Sequence, residues 1–180
     1  MKRPSKSFEI ALSAIACAVA AVLLTLAFYV NFLLGLAYIL SVFALMVPLA
    51  KDFLWGSVLA FLGSVLLATL FTGFAGFWIT VPYLAFFGLH PIANYLQKKY
   101  VTKTPIKVVC LLAKTAWFDG VCLLSYFVLT KLAGIVFPAF ISEYVYLVIF
   151  LAGTVLFIVY DVMIFLCQRS INRIVKRIGR

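Results

Sequence analysis

Four ionisable side chains, His90, Lys114, Asp119 and Asp161, fall inside long apolar runs of this chain, and the amide of Asn94 accompanies them. An ionisable group in hydrocarbon is costly, so each calls for a partner. Lys114 and Asp161 carry the complementary charges of an ion pair, and His90 or Asn94 can supply a further hydrogen bond. At 1.5 Å of helical rise per residue, His90, Lys114 and Asp161 should lie at one depth, roughly 10 Å inside the hydrocarbon boundary. Pro91 follows His90; its missing N–H frees the carbonyl of Phe87 and should kink that run. A polar layer of this kind is either a clamp between helices or a proton or ion relay. Asp119 stands apart, near the middle of its run and off the helical face of Lys114. It must meet water, a polar group, a substrate or a proton.

No catalytic motif surrounds these residues. The sequence has no GxxxxGK[ST], HExxH or GxSxG, and one histidine with five acidic residues offers little for catalysis. Cys17, Cys110, Cys122 and Cys167 are widely spaced and form no CxxC pair, so neither a zinc site nor a disulfide framework is expected. No metal and no cofactor is implied. A net charge of +10 on a chain 67% hydrophobic and 11% charged, with mean hydropathy +1.21, does not indicate nucleic-acid binding. Its cations sit where they would meet lipid headgroups, so the expected environment is the bilayer.

The elements that must position the polar residues follow from length and charge. About 20 apolar residues cross a bilayer, and six runs qualify: 8–30, 34–50, 53–71, 77–97, 107–131 and 144–167. Lys2 to Lys6 before the first run resembles a targeting segment. That run continues past Cys17 to Val30, too long for a cleaved signal, so an uncleaved first span is expected. Lys2, Arg3, Lys6, Lys51, Lys98, Lys99, Lys103 and Lys107 fall on one side of the resulting topology, with Arg169, Arg173, Lys176, Arg177 and Arg180; the other side holds only Lys131. By the positive-inside rule both termini are cytoplasmic. The expected fold is an all-α integral membrane protein: one domain over 1–180, a compact bundle of six transmembrane helices, with a basic cytoplasmic tail over 168–180. Asp52 should cap the third helix. Pro82 should fall in the first turns of the fourth, and Pro105 and Pro138 in loops.

Two surfaces could recognise other molecules. Small residues on the first helix, Ala14, Cys17, Ala18 and Ala21 among them, cover most of its circumference, more than one internal contact requires; they suit close approach by a partner helix in lipid. At the outer end, Asn31, Trp78, Tyr83, Tyr126, Glu143 and Tyr144, with Asp119 deeper, either anchor the chain at the interface or line an aromatic pocket for a small molecule. Gly73 and Gly76 would let the second outer loop act as a lid.

Six short spans, a first helix rich in AxxxA spacings and no ATPase motif resemble the substrate-binding S components of energy-coupling factor (ECF) transporters. More narrowly, Ala85-Phe86-Phe87-Gly88-Leu89-His90-Pro91-Ile92, then Leu111-Leu112-Ala113-Lys114 and Trp117-Phe118-Asp119, resemble a group of Firmicute S-component-like membrane proteins. That group carries FFGxxP, a lysine, and an aromatic followed by Asn; here Asp119 replaces the Asn, and Asn94 stands near where a lysine often occurs. The resemblance implies a multi-pass protein of a bacterial plasma membrane. Such a protein captures a vitamin-like molecule from outside and topples against a transmembrane scaffold coupled to ATPase subunits. It places the scaffold contact on Ala14, Ala18 and their neighbours. A metal substrate is not implied, because the family's nickel and cobalt members use an N-terminal His segment that MKRPSKSFEI lacks. A structural membrane scaffold of the MreD type and a small secondary transporter are the alternatives; the latter lacks an inverted repeat.

Overall fold

A computed structural model describes residues 6–131, 134 and 136–178, with backbone alone at 74 and 176–178. Lys2, Arg3 and Arg180 of the basic flanks lie outside the described residues. The chain forms α1 (Lys6–Tyr29), a 3-10 turn (Asn31–Leu33), α2 (Leu34–Leu49), α3 (Leu54–Thr72) and a second 3-10 turn (Phe74–Gly76). Then come α4 (Phe77–Pro82), a π-helical turn (Tyr83–Phe87), α5 (His90–Tyr100) and α6 (Thr104–Lys131). The short α7 (Ala139–Glu143) and α8 (Val145–Leu147), a second π-helical segment (Val148–Gly153) and α9 (Thr154–Ile178) complete it. No strand occurs among the described residues.

Five helices are long and apolar enough to cross a membrane: Lys6–Tyr29, Asn31–Leu49, Leu54–Thr72, Thr104–Lys131 and Val145–Val175. Their length and composition mark a multi-pass membrane protein. The fourth predicted span, 77–97, is not one continuous α-helix. It is α4, the π turn and α5, and Pro82 closes α4 rather than opening a long helix. The cause lies in the prolines. Pro91 gives Phe87 no amide to accept from, and the backbone adjusts by widening the preceding turn, with Gly88 N–H bonded to the carbonyl of Tyr83 at 2.8 Å and Leu89 N–H to that of Phe86 at 3.1 Å.

α1 lies against both α2 and α3. It buries Ala16, Ala20, Ala21, Leu24 and Ala27, while Ile10, Ile15 and Val22 stay exposed on its apolar outer face. Small side chains permit the close approach: a Cβ built on Gly63 would come within 2.8 Å of the Cys17 sulfur. The core beneath consists of Leu24, Tyr38, Leu45, Phe61, Ile79 and Tyr83.

Asp52 does not cap α3. It sits in the turn after α2 at φ +60°, Phe53 takes the cap position without a side-chain bond, and the Asp52 carboxylate accepts from the Tyr95 hydroxyl at 3.0 Å. The tight turn, with the Phe53 amide on the Pro48 carbonyl, aims that side chain at α5. Pro105 lies in the first turn of α6, where its missing N–H has no helical partner to lose. The 168–180 tail begins as a continuation of α9, which remains helical through Ile178.

Candidate functional site

Three stacked layers occupy the space between α4–α5, α6 and α9. The first is ionic. Asp161 Oδ1 accepts from Lys114 Nζ at 2.6 Å and from Asn94 Nδ2 at 3.3 Å, and lies 2.9 Å from His90 Nε2; Lys114 also donates to Asn94 Oδ1 at 2.9 Å. All four residues are buried. His90 and Asn94 share a face of α5 by their spacing of four, Lys114 comes from α6, and Asp161 from α9. The Lys114 ammonium also lies 5.0 Å from the centre of the Phe165 ring. The network thus ties three helices together, and both formal charges are compensated. His90 Nδ1 and the Tyr160 hydroxyl, beside it at a ring separation of 5.0 Å, are buried without partners among the described residues.

Above the ions lies an aromatic septum. Phe86 is fully buried and meets Trp117 at 4.9 Å, His90 at 5.1 Å, Phe118 at 5.1 Å and Phe157 at 5.8 Å between ring centres. Mostly edge-on contacts of this kind suit the ring quadrupoles. The π turn places Phe86 there, because it ends one residue before Gly88, whose bare Cα accommodates the Phe61 ring.

The third layer is a cavity of about 290 Å³ on the far side of the septum. Pro82, Phe86 and Phe87 form one wall; Phe118, Cys122, Ser125, Tyr126 and Leu129 of α6 form another; Phe137, Ile141, Val145, Val148 and Ile149 line the remaining side of this half-open cavity. Both π-helical segments therefore border the same space. π segments widen a helix and often accompany functional sites.

Asp119 lies in sequence between the lining residues Phe118 and Cys122 of α6, without itself forming part of the cavity wall. It is 5% exposed; Oδ2 accepts from Thr154 Oγ1 at 3.2 Å, and Oδ1 has no partner among the described residues. Its orphan oxygen faces Gly153, the last residue of the second π segment.

Of the residues expected around a pocket, Tyr126 lines the cavity; Asp119 is not part of its wall but follows the lining residue Phe118 on α6. Tyr83 is buried in the α1–α3 core, its hydroxyl 3.5 Å from Ser64 Oγ. Trp78 packs half-buried on that same core. Asn31, Glu143 and Tyr144 are exposed and do not line the cavity. On α1, Ala14 and Ala18 are exposed and Cys17 is half-buried, whereas Ala21 is consumed by packing within the chain. Sequence reasoning passed over Thr154 and met Phe86 only as a member of the quoted motif, without a role. The run Phe118, Cys122, Ser125, Leu129 at helical spacing was a visible signal of one face, but nothing local distinguishes a cavity wall from a lipid face. No family model, no curated protein and no solved structure matches this chain.

Proposed function

We propose that this chain is a membrane-embedded solute-binding subunit of the S-component kind, with six crossings, cytoplasmic termini and no catalytic activity of its own. It takes a small, largely apolar, vitamin-like molecule from outside a bacterial plasma membrane. The observation that carries this reading is the cavity of about 290 Å³ between the two π-helical segments, closed at one end by the Phe86 septum and the ion network. Its size is at the lower end of small-molecule sites, which run to about 1,000 Å³, and its closed floor suits a protein that binds rather than conducts. The sixth crossing is the broken segment α4–π–α5, in whose irregular stretch Tyr83, Phe86 and Gly88 are buried while Leu84 and Leu89 face outward.

Work from ATP then has to come from other subunits. The outward Ala14 and Ala18 of α1, beside a groove of about 220 Å³ lined by Ser13, Cys17, Gly56 and Ala60, support a scaffold helix docking there. Lys51, Lys98, Lys99 and Lys103 fit the cytoplasmic side of an anionic leaflet.

The test is co-expression of the tagged chain with an ECF scaffold and its ATPases, purification in detergent, and mass spectrometry of protein and small-molecule content. Recovery of the module with a bound metabolite is expected. The Ala14→Trp/Ala18→Trp double variant should still fold yet lose the module. A chain recovered alone, without ligand or ATPases, would instead favour a structural scaffold.

A further inference from the structure

Asp119 is a buried carboxylate that the fold leaves half-satisfied. The ion pairs among the described residues are those of Asp161 with Lys114 and His90, so Asp119 has no protein cation. Its one hydrogen-bond partner is the Thr154 hydroxyl. Oδ1 is buried, unpartnered and turned toward Gly153, where a Cβ would lie 3.9 Å from it and 3.8 Å from the Val148 carbonyl oxygen. Two oxygens, Asp119 Oδ1 and the Val148 carbonyl, thus lie beside the bare Cα of Gly153, and Thr154 holds the other carboxylate oxygen. An isolated carboxylate in an apolar interior is costly until a cation, a donor or a proton reaches it.

The surroundings select among these. Phe118 stands beside the spot, 3.7 Å from that same Cβ position, and Phe86, Phe87, Tyr126 and Phe137 wall the adjoining cavity. Ring faces attract organic cations. A bare inorganic ion would need about six oxygen ligands, more than Asp119, Thr154 and the Val148 carbonyl supply. An ammonium group has three N–H donors; Asp119 Oδ1 is the buried acceptor left without a partner among the described residues, and an attached apolar body would extend along the cavity-lining Phe118 and Cys122.

We infer that Asp119, with Thr154, anchors the ammonium group of a small amphiphilic amine whose apolar body occupies the aromatic cavity. The inference rests on the solute-binding reading above and names the class of solute.

The experiment uses the full chain in lipid nanodiscs, with empty nanodiscs subtracted, and two probes of like shape: tryptamine, a cation at neutral pH, and 3-ethylindole, its uncharged analogue. Calorimetric titration should give tryptamine about tenfold tighter binding or more, the scale of a hydrogen-bonded buried charge. Asp119→Asn should remove that advantage and leave 3-ethylindole unchanged, and Thr154→Val should weaken tryptamine alone. If Asp119→Asn does not fold, the wild-type ratio and Thr154→Val decide. Equal affinity for both probes would overturn the ammonium anchor while sparing the cavity. Binding of neither probe would sink the solute-binding reading as well. Stabilisation by sodium chloride over N-methylglucamine chloride, abolished in Asp119→Asn, would assign the site to an inorganic cation and overturn the inference.

Discussion

Lys114 Nζ lies 2.6 Å from Asp161 Oδ1, and both side chains are more than nine-tenths buried. The pair joins α6 to α9 directly and, through Asn94 and His90, joins both to α5. Removing one partner leaves an uncompensated charge in an apolar interior, which costs about 3–5 kcal/mol, whereas replacing both can be nearly neutral. Lys114→Met and Asp161→Asn should each lower the unfolding midpoint in detergent sharply. The double variant should recover most of the loss; a double variant as unstable as the sum of the singles would refute the coupling.

Phe86 is the ring on which the septum depends. Truncation to Ala removes its contacts with Trp117, Phe118, Phe157 and His90 at once. The expected loss is about 3–5 kcal/mol, together with exposure of His90 to the cavity. Thermal unfolding measures the first effect. Faster modification of His90 by diethyl pyrocarbonate in the folded variant measures the second.

Gly88 and Gly120 make a matched pair. A Cβ on Gly88 would collide with the Phe61 ring and come 3.2 Å from Tyr83, while one on Gly120 meets nothing within 4 Å. Gly88→Ala should therefore cost about 1–3 kcal/mol through overpacking. Gly120→Ala should be neutral or gain up to about 1 kcal/mol from helix propensity. Equal unfolding midpoints for the two variants would show that the Gly88 turn does not pack against the Phe61 ring of α3.

The faces of α1 differ in tolerance. Ala16 and Ala20 are buried, at 3% and 0% exposure, against α2 and α3, so Leu at either position should destabilise by overpacking of about 1–3 kcal/mol. Ala14 and Ala18 face outward, and Trp at both should leave the unfolding midpoint within about 0.5 kcal/mol of wild type. A double Trp variant that fails to fold would mean that this face is already occupied within the chain.

Charge and hydropathy along the chain determined that it is helical and crosses a membrane several times, because unbroken apolar runs bounded by cations are a local signal. They also brought His90, Asn94, Lys114 and Asp161 to one level, since helical rise converts residue number directly into depth. Lateral position has no such signal. Inside a bilayer both the buried and the lipid-facing sides of a helix are apolar, so periodicity does not say which face meets a neighbour. Tertiary structure alone therefore decided that Tyr83 enters the core while Tyr126 lines a cavity, and that Phe86 becomes the centre of a septum. Pro91 announced a kink, but not that the adjustment would be a π-helical turn dividing the fourth span. Asp52 carried a capping residue's chemistry, and a positive φ in a tight turn redirected it to Tyr95. Asp119 was recognisable as an anomaly from its position in an apolar run. That its neighbours are Thr154, thirty-five residues on, and the bare Cα of Gly153 became visible only when α6 met the π segment and α9.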